Sequence, residues 1–161
     1  MRVYHSSNQI VKSPDTKHSR KFLDFGIGFY VTMLEEQARK YAKKFYLRGN
    51  DAYLNIFELD DSWKKNFNVK TFASYDEEWL DFVTANRKGG ITVEYDAVEG
   101  GIANDKVFET VDLYIGGLIN KEEALRRLAY EKPNHQICIL NQEIIDKYVE
   151  YIDSKRIKTD D

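Results

Sequence analysis

Residues 25–32 read FGIGFYVT and are followed directly by MLEEQARKYAKKF, residues 33–45. The first run is apolar and contains two glycines, which predicts a bend leading into a buried strand. In the second run apolar residues recur at helical spacing as far as Phe45, and Gly49 marks the end of the predicted helix. We expect Thr32 to cap this helix, with Glu35 as its capping-box partner. The sequence therefore predicts a short buried strand followed at once by an amphipathic helix.

Elements of both kinds flank this unit. Alternating or β-branched and aromatic runs predict strands at 2–5, 52–59, 68–72, 92–99, 136–140 and 149–157. Helical spacing predicts helices at 74–87, capped by Ser74, at 104–115, capped by Asn104 and Asp105, at 121–130, and from 142 onwards. The helices are inserted among the strands without regular βαβ alternation. This order predicts an α+β fold with a mostly antiparallel, split sheet.

Length and composition place further limits on the protein. The chain has 161 residues, of which 42% are hydrophobic and 32% charged, and this fits one globular domain over residues 1–161. Cys138 is the single cysteine, which excludes an internal disulfide and favours a reducing compartment. Uncharged stretches reach only ten residues, and the N-terminal MRVYHSSNQIVK has no apolar core. We therefore expect a soluble, cytoplasmic protein with no membrane partner.

Charge is unevenly distributed along the chain. Residues 1–50 carry ten Lys/Arg and four Asp/Glu, a net +6, so residues 51–161, with fourteen and twenty-three, carry −9. Arg20, Lys21 and a cluster at 39–48 supply much of the positive charge. Such a cluster fits either a site for a polyanion or a solvated basic face, and the sequence leaves both readings open.

Several large enzyme classes are excluded by missing motifs. One cysteine and the three histidines His5, His18 and His135 show no zinc-ligand spacing, so we predict no metal site. Gly26-x-Gly28 lacks the third glycine of a dinucleotide fingerprint, and neither a GKS/GKT phosphate loop nor a GxSxG elbow occurs.

Three segments taken together carry a resemblance. They are YHSS at 4–7, GIGFYVT at 26–32 and NHQICI at 134–139. Their order resembles the three motif strands of the ADP-ribosyltransferase superfamily, whose members bind NAD in a cleft between two small antiparallel sheets. More closely, the chain resembles a small bacterial and phage-associated family of proteins of unknown function (DUF3990). That likeness adds DFGIGFYVT at 24–32, Gln37-Ala38 and YDAVEGGIAND at 95–105, and it spans nearly the whole chain.

The resemblance implies roles for five residues. His5 would hold the adenosine ribose hydroxyls, since an imidazole can donate from one nitrogen and accept at the other. Ser6, where Gly is usual, would bind the nicotinamide amide through its backbone, and Tyr30 would stack on the nicotinamide ring. Gly28 would let the backbone approach the ligand closely. Gln136 stands where the superfamily has a catalytic Glu, or sometimes Gln, that orients the nicotinamide ribose. The implied catalytic set is His5, Tyr30 and Gln136, with NAD as cofactor.

Two of these positions also have a purely structural explanation. His5 fits a hydrogen-bonded strand end, and Tyr30 fits the core of a sheet. Gln136 offers a dipole where a carboxylate would stabilise a developing cation, which weakens catalysis. Arginine-modifying toxins carry a second acidic residue where this chain has Asn134, so protein-arginine modification is disfavoured.

The resemblance therefore implies an NAD-dependent transferase of the glycosyltransferase class, which moves ADP-ribose to a macromolecule, either protein or nucleic acid. It further implies a toxin with a small antitoxin partner. Two alternatives stay open from the residues themselves. Ser6 and Gln136 motivate a catalytically weak or inactive NAD- or nucleotide-binding module, and His5 or His18 with a nearby acid motivates a small ribonuclease-type toxin.

Overall fold

The computed structural model describes residues 1–19, 23–89 and 94–158. The strands are β1 (Arg2–Ser7), β2 (Phe29–Val31), β3 (Tyr53–Leu59), β4 (Val69–Thr71), β5 (Ala97–Gly100), β6 (Gln136–Ile139) and β7 (Val149–Arg156). The helices are α1 (Glu35–Leu47), α2 (Glu77–Arg87), α3 (Asp105–Ile115), α4 (Lys121–Leu128) and α5 (Gln142–Tyr148). Within these ranges no helix combines the length and the apolar character needed to cross a membrane.

The strands form two sheets, as the α+β prediction requires. The first sheet has the order β1-β3-β7 and is antiparallel. The second sheet has the order β2-β6-β5-β4 and is antiparallel except for the parallel pair β4–β5. The two sheets meet where Tyr4 and Thr32 form a β-bridge, with backbone N–H···O distances of 2.8 and 3.0 Å. The prediction of a mostly antiparallel, split sheet is confirmed at this level.

The buried apolar residues form three hydrophobic clusters, and the alternation of side chains along the strands decides which cluster each strand residue joins. Phe29 and Val31 lie in a cluster that holds residues of both sheets, whereas Tyr30 packs on the opposite face, beneath α2, α3 and α4. On the outer face of the first sheet, Ala38 and Ala42 of α1 pack against β3. Trp63 and Trp79 are fully buried, as expected for core residues, and belong to the first two of these clusters.

Two predicted helix caps are wrong. α1 begins at Glu35 with Leu34 at the N-cap position, and the hydroxyl of Thr32 accepts instead from the N–H of Leu34 at 3.1 Å. Thr32 stays in the bridge between the sheets, which places it outside the helix. α2 is capped by Asp76, whose carboxylate accepts from the backbone N–H of Trp79 at 2.9 Å, and not by Ser74. At Thr32 a tertiary contact displaced the local signal, whereas at α2 a second local capping residue, Asp76, takes the place of Ser74. The predicted strand at 92–99 begins at residue 97, and residues 92 and 93 lie outside the described ranges.

Candidate functional site

The five predicted site residues lie on or beside three neighbouring strands. His5 and Ser6 belong to β1, Gly28 immediately precedes β2, Tyr30 lies in β2, and Gln136 is the first residue of β6. β1 reaches β2 through the bridge between the sheets, and β2 pairs with β6 so that Tyr30 faces Cys138. Because side chains alternate along a strand, Tyr30 and Gln136 project on the same face of the second sheet.

His5 is held in a defined tautomer by the strand beside it. Its Nδ1 lies 2.6 Å from the carbonyl oxygen of Tyr30, and its ring packs on Phe29 with ring centroids 4.5 Å apart. A carbonyl oxygen only accepts, so Nδ1 carries the proton and Nε2 is a hydrogen-bond acceptor. Burial lowers the pKa of His5 and keeps the imidazole neutral. The side chain can therefore accept a hydrogen bond from a hydroxyl.

Ser6 and Gly28 have contacts within the fold. The hydroxyl of Ser6 donates to the carbonyl of Ala38 at 2.5 Å and ties β1 to α1. Gly28 is buried against β6, where a Cβ would lie 2.6 Å from the carbonyl oxygen of Ile139 and 2.7 Å from Sγ of Cys138. The close approach that requires glycine at 28 is thus an approach of the chain to its own sheet.

The hydroxyl of Tyr30 is fixed by two hydrogen bonds. It donates to the carbonyl of Gly26 at 2.6 Å and accepts from the N–H of Phe25 at 3.2 Å. Burial strongly raises the pKa of this phenol, so it stays protonated. With its hydroxyl engaged at Gly26 and Phe25, Tyr30 has its ring left to face a ligand.

Gln136 differs from these residues because its side chain is unengaged. It is half-buried, and its carboxamide makes no hydrogen bond within the described ranges, although its backbone pairs with Gly100. A half-buried amide with free donor and acceptor groups is set up to bind a polar partner.

The two residues before Gln136 are clamped in place. The carboxamide of Gln37 donates to the carbonyl of His135 at 2.7 Å and accepts from its N–H at 3.1 Å. The carboxamide of Asn134 in the same way accepts from the N–H of Ile102 at 2.8 Å and donates to its carbonyl at 3.2 Å. Each of these side chains pairs with a backbone unit as a neighbouring strand would. We call the two contacts the amide clamps, and they make the segment leading into Gln136 rigid.

The sequence analysis missed an ionic network beside Gln136. His135 Nε2 lies 2.8 Å from a carboxylate oxygen of Glu99, and its Nδ1 lies 3.2 Å from the hydroxyl of Thr32. Lys64 donates to the other oxygen of Glu99 at 2.6 Å. The hydrogen bond from His135 and the ammonium of Lys64 lower the pKa of Glu99 to about 2. His135 was visible in the NHQICI segment, but nothing in the sequence joined it to a carboxylate 36 residues away.

Asp24, the first residue of the DFGIGFYVT segment, has a structural role. It is buried, and its two carboxylate oxygens accept from Nε of Arg87 at 2.7 Å and from the N–H of Ala103 at 2.5 Å. It therefore joins the end of α2 to the segment that the Asn134 clamp also holds. Residues from four of the quoted motifs thus contribute to the support of Gln136.

Comparison with known proteins identifies the family. The model of a family described as protein of unknown function (DUF3990) matches residues 1–151. The chain belongs to the DUF3990 family. The match extends from β1 into β7 and contains all five predicted site residues. No curated protein and no solved structure matches the chain.

The basic cluster of this DUF3990 protein borders a groove. A volume of about 740 Å³ is lined by Glu36, Gln37, Arg39, Lys40, Lys43 and Asn104. Asn104 occupies the N-cap position of α3, as predicted, but its side chain makes no capping hydrogen bond. The predicted basic residues Arg20 and Lys21 lie outside the described ranges.

Two further reactive side chains, His18 and Cys138, lie in different surroundings. His18 is exposed and forms a close pair with Asp15 on the loop after β1, with Nδ1 2.5 Å from the carboxylate. Cys138 is buried, and burial raises the pKa of its thiol to about 12, so it is no nucleophile at neutral pH. In the described parts of the chain no group of three or more His, Cys, Asp or Glu could hold a metal ion.

Proposed function

We propose that this DUF3990 protein is an NAD-dependent ADP-ribosyltransferase acting on a macromolecular acceptor. The observation that carries the proposal is the unengaged carboxamide of Gln136 at the head of a clamped strand. His5 and Tyr30 lie on the two strands that continue from it across the sheet junction. These three positions lie in the three segments that resemble the motif strands of the ADP-ribosyltransferases.

The donor and acceptor groups of the site fit NAD. Nε2 of His5 is an acceptor and would receive a hydrogen bond from an adenosine ribose hydroxyl. The ring of Tyr30, held by its hydroxyl, would present a π face to the cationic nicotinamide. The carboxamide oxygen of Gln136 would accept from a hydroxyl of the nicotinamide ribose. Bound NAD would supply the ADP-ribosyl group. Its bond from the ribose carbon to the nicotinamide nitrogen would break with the electron pair leaving on nicotinamide, the acceptor would bond to that carbon, and the proton of the acceptor would pass to water.

Gln136 would aid transfer through orientation and a dipole. Fixed dipoles aimed at developing charge lower a barrier because they need no reorganisation during reaction, and the amide clamps provide that fixity. A neutral amide stabilises a cation less than a carboxylate does, so we expect slow turnover. NAD binding without nicotinamide release would instead identify a binding module that has lost its chemistry.

The test is incubation of the purified protein with labelled NAD and bacterial lysate, followed by mass spectrometry of the labelled product. We expect label transfer and nicotinamide release, both reduced about 10²-fold by Gln136→Ala. Gln9→Ala, which changes an exposed glutamine on the loop after β1, should leave both unchanged. Absence of both NAD binding and label transfer would remove the proposal. Cleavage of RNA without NAD, lost in His5→Ala or His18→Ala, would favour the ribonuclease alternative.

The toxin role is proposed from resemblance and has its own test. Induced expression in a bacterial host should arrest growth, and Gln136→Ala should restore it. Growth arrest that persists in that variant would separate toxicity from ADP-ribose transfer. A small antitoxin partner should protect the cells and co-purify with the protein.

A further inference from the structure

α1 presents a line of positive charge with few partners. Its residues and the C-cap supply five cations, which are Arg39, Lys40, Lys43, Lys44 and Arg48. Of these, within the described chain, Arg39 alone has a carboxylate within 4 Å, that of Glu35 at 3.5 Å. The whole chain has a net charge of −3. The positive face is therefore a local feature, not the result of an overall excess of cations.

This face forms one wall of the groove described above. Three cations, Arg39, Lys40 and Lys43, line the groove together with one carboxylate, that of Glu36. The acidic residue lies at the N-terminal end of α1, where the helix dipole favours it, and the lysines lie further along. The groove thus has a basic stretch that begins one turn into the helix.

The groove is continuous with the support of Gln136. Gln37 lines the groove, and its carboxamide clamps the backbone of His135, the residue next to Gln136. Asn104, also in the lining, follows the segment of Ile102 that the second amide clamp holds. A chain lying in the groove would therefore reach the residues that carry Gln136.

The spacing of the cations fits a repeating anion. Lys40, Lys44 and Arg48 recur at i, i+4 and i+8 and therefore share one face of the helix, which continues beyond the groove and spans about 12 Å at 1.5 Å per residue. Phosphates of a stacked nucleic acid strand follow one another at about 3.4 Å, so several fit along this length, whereas one pyrophosphate would meet only part of it. Tyr41 is 39% exposed among the cations, with Nζ of Lys44 5.4 Å from its ring centroid. An exposed aromatic beside a basic track is typical of single-strand binding.

We propose that this groove binds the phosphate backbone of a single-stranded nucleic acid and leads it to Gln136 as the acceptor of ADP-ribose. The delivery to Gln136 rests on the proposed transferase function, whereas binding in the groove does not. Lys40 and Lys43 contact phosphates, and Tyr41 offers a stacking surface for a base.

The experiment measures binding without NAD. Fluorescence anisotropy would follow a labelled mixed-sequence 20-nucleotide RNA and the matching DNA, each titrated with the full chain between 50 and 200 mM salt. We expect Lys40→Glu/Lys43→Glu to raise Kd about tenfold or more, and to reduce the slope of log K against log salt by about 1.4. Lys12→Glu/Lys65→Glu makes the same charge change at exposed lysines outside the groove and should leave Kd within about twofold. The RNA and DNA arms show which backbone is preferred.

Calorimetry with NAD on the same variants separates the two proposals. We expect Lys40→Glu/Lys43→Glu to bind NAD as the wild type does. The groove proposal would be overturned if the two double variants lost nucleic-acid binding equally. It would also be overturned if Lys40→Glu/Lys43→Glu lost NAD binding but kept nucleic-acid binding. Label transfer to protein with no nucleic-acid binding would also overturn it and leave the transferase standing. Groove-dependent nucleic-acid binding without NAD binding would support the groove and remove the transferase.

Discussion

Replacement of Glu99 by Gln should destabilise the fold, and the loss should depend on pH. The folded pKa of Glu99 is about 2, against 4.5 for the free side chain, because His135 and Lys64 bind its charged form. A shift of about 2.5 units corresponds to at most about 3 kcal/mol of stability at neutral pH. Lys64 is 49% exposed, so solvent screens its share, and we expect a measured loss of about 2 kcal/mol.

The sign of the pH dependence follows from the lowered pKa. Stability from an ionised Glu99 is fully present above about pH 4.5, where the carboxyl is charged in both folded and unfolded chains. As the pH falls from there towards 2, the unfolded chain takes up a proton first and the contribution is lost. By pH 3 more than half of it should be gone. The difference in the free energy of unfolding between the wild type and Glu99→Gln should therefore decrease as the pH falls.

Urea unfolding at pH 7, 5, 4 and 3 measures this gap, with fluorescence of the buried Trp63 and Trp79 as the signal. Glu143→Gln is the control, because Glu143 pairs with Lys147 on an exposed face of α5 and should change little at any pH. If Glu99→Gln matches the wild type at pH 7, or if its deficit is the same at pH 7 and pH 3, the reasoning is refuted.

Three further substitutions test the packing around the site. Gly28→Ala should lower the free energy of unfolding, measured in urea, by about 1–3 kcal/mol, because the added Cβ would collide with β6. Gly116→Ala should lower it less, because there the added Cβ would lie 3.3 Å from its nearest neighbour, the carbonyl oxygen of Asp112. An equal cost for both would contradict the packing account. Gln37→Ala should cost about 1–3 kcal/mol by leaving two backbone groups of His135 unpaired, and Gln37→Glu should cost at least as much, since a carboxylate oxygen in place of the amide N–H would face the carbonyl oxygen of His135; a neutral Gln37→Ala would show that the clamp is dispensable. Tyr30→Phe should lose about 1–2 kcal/mol of stability yet keep its NAD affinity in calorimetry, and a loss of affinity would show that the hydroxyl, not the ring, contacts NAD.

Most of the elements could be predicted from the sequence, because their signals are local. Because side chains alternate along a strand, Phe29 and Tyr30 in the predicted strand FGIGFYVT belong on opposite faces, and the structure puts them in different clusters. The strand at 53–59 and the helices after Asn104 and Asn120 followed from periodicity and turn residues. These patterns indicate which face of a helix or strand is buried, and a window of a few neighbouring residues is enough to read them.

The support of the candidate site could not be predicted in the same way. The hydroxyl of Thr32 looked like a helix cap but is used between the sheets, next to a histidine 103 residues away. In the sequence, Asn134 stands out only because arginine-modifying toxins carry an acidic residue there. In the structure, both polar groups of its carboxamide form hydrogen bonds with the backbone of Ile102. Such contacts join segments that are far apart in the sequence, so no periodic pattern predicts them.

The amide clamps have a consequence for how the chain tolerates change. Gln37 and Asn134 anchor the last two residues before β6, so the position of Gln136 does not depend on the length of the connection upstream. Insertions or deletions between Tyr130 and Pro133 would alter the surface next to β6 while Gln136 keeps its place. The fold thus separates a fixed side chain from a connection whose length is free to vary.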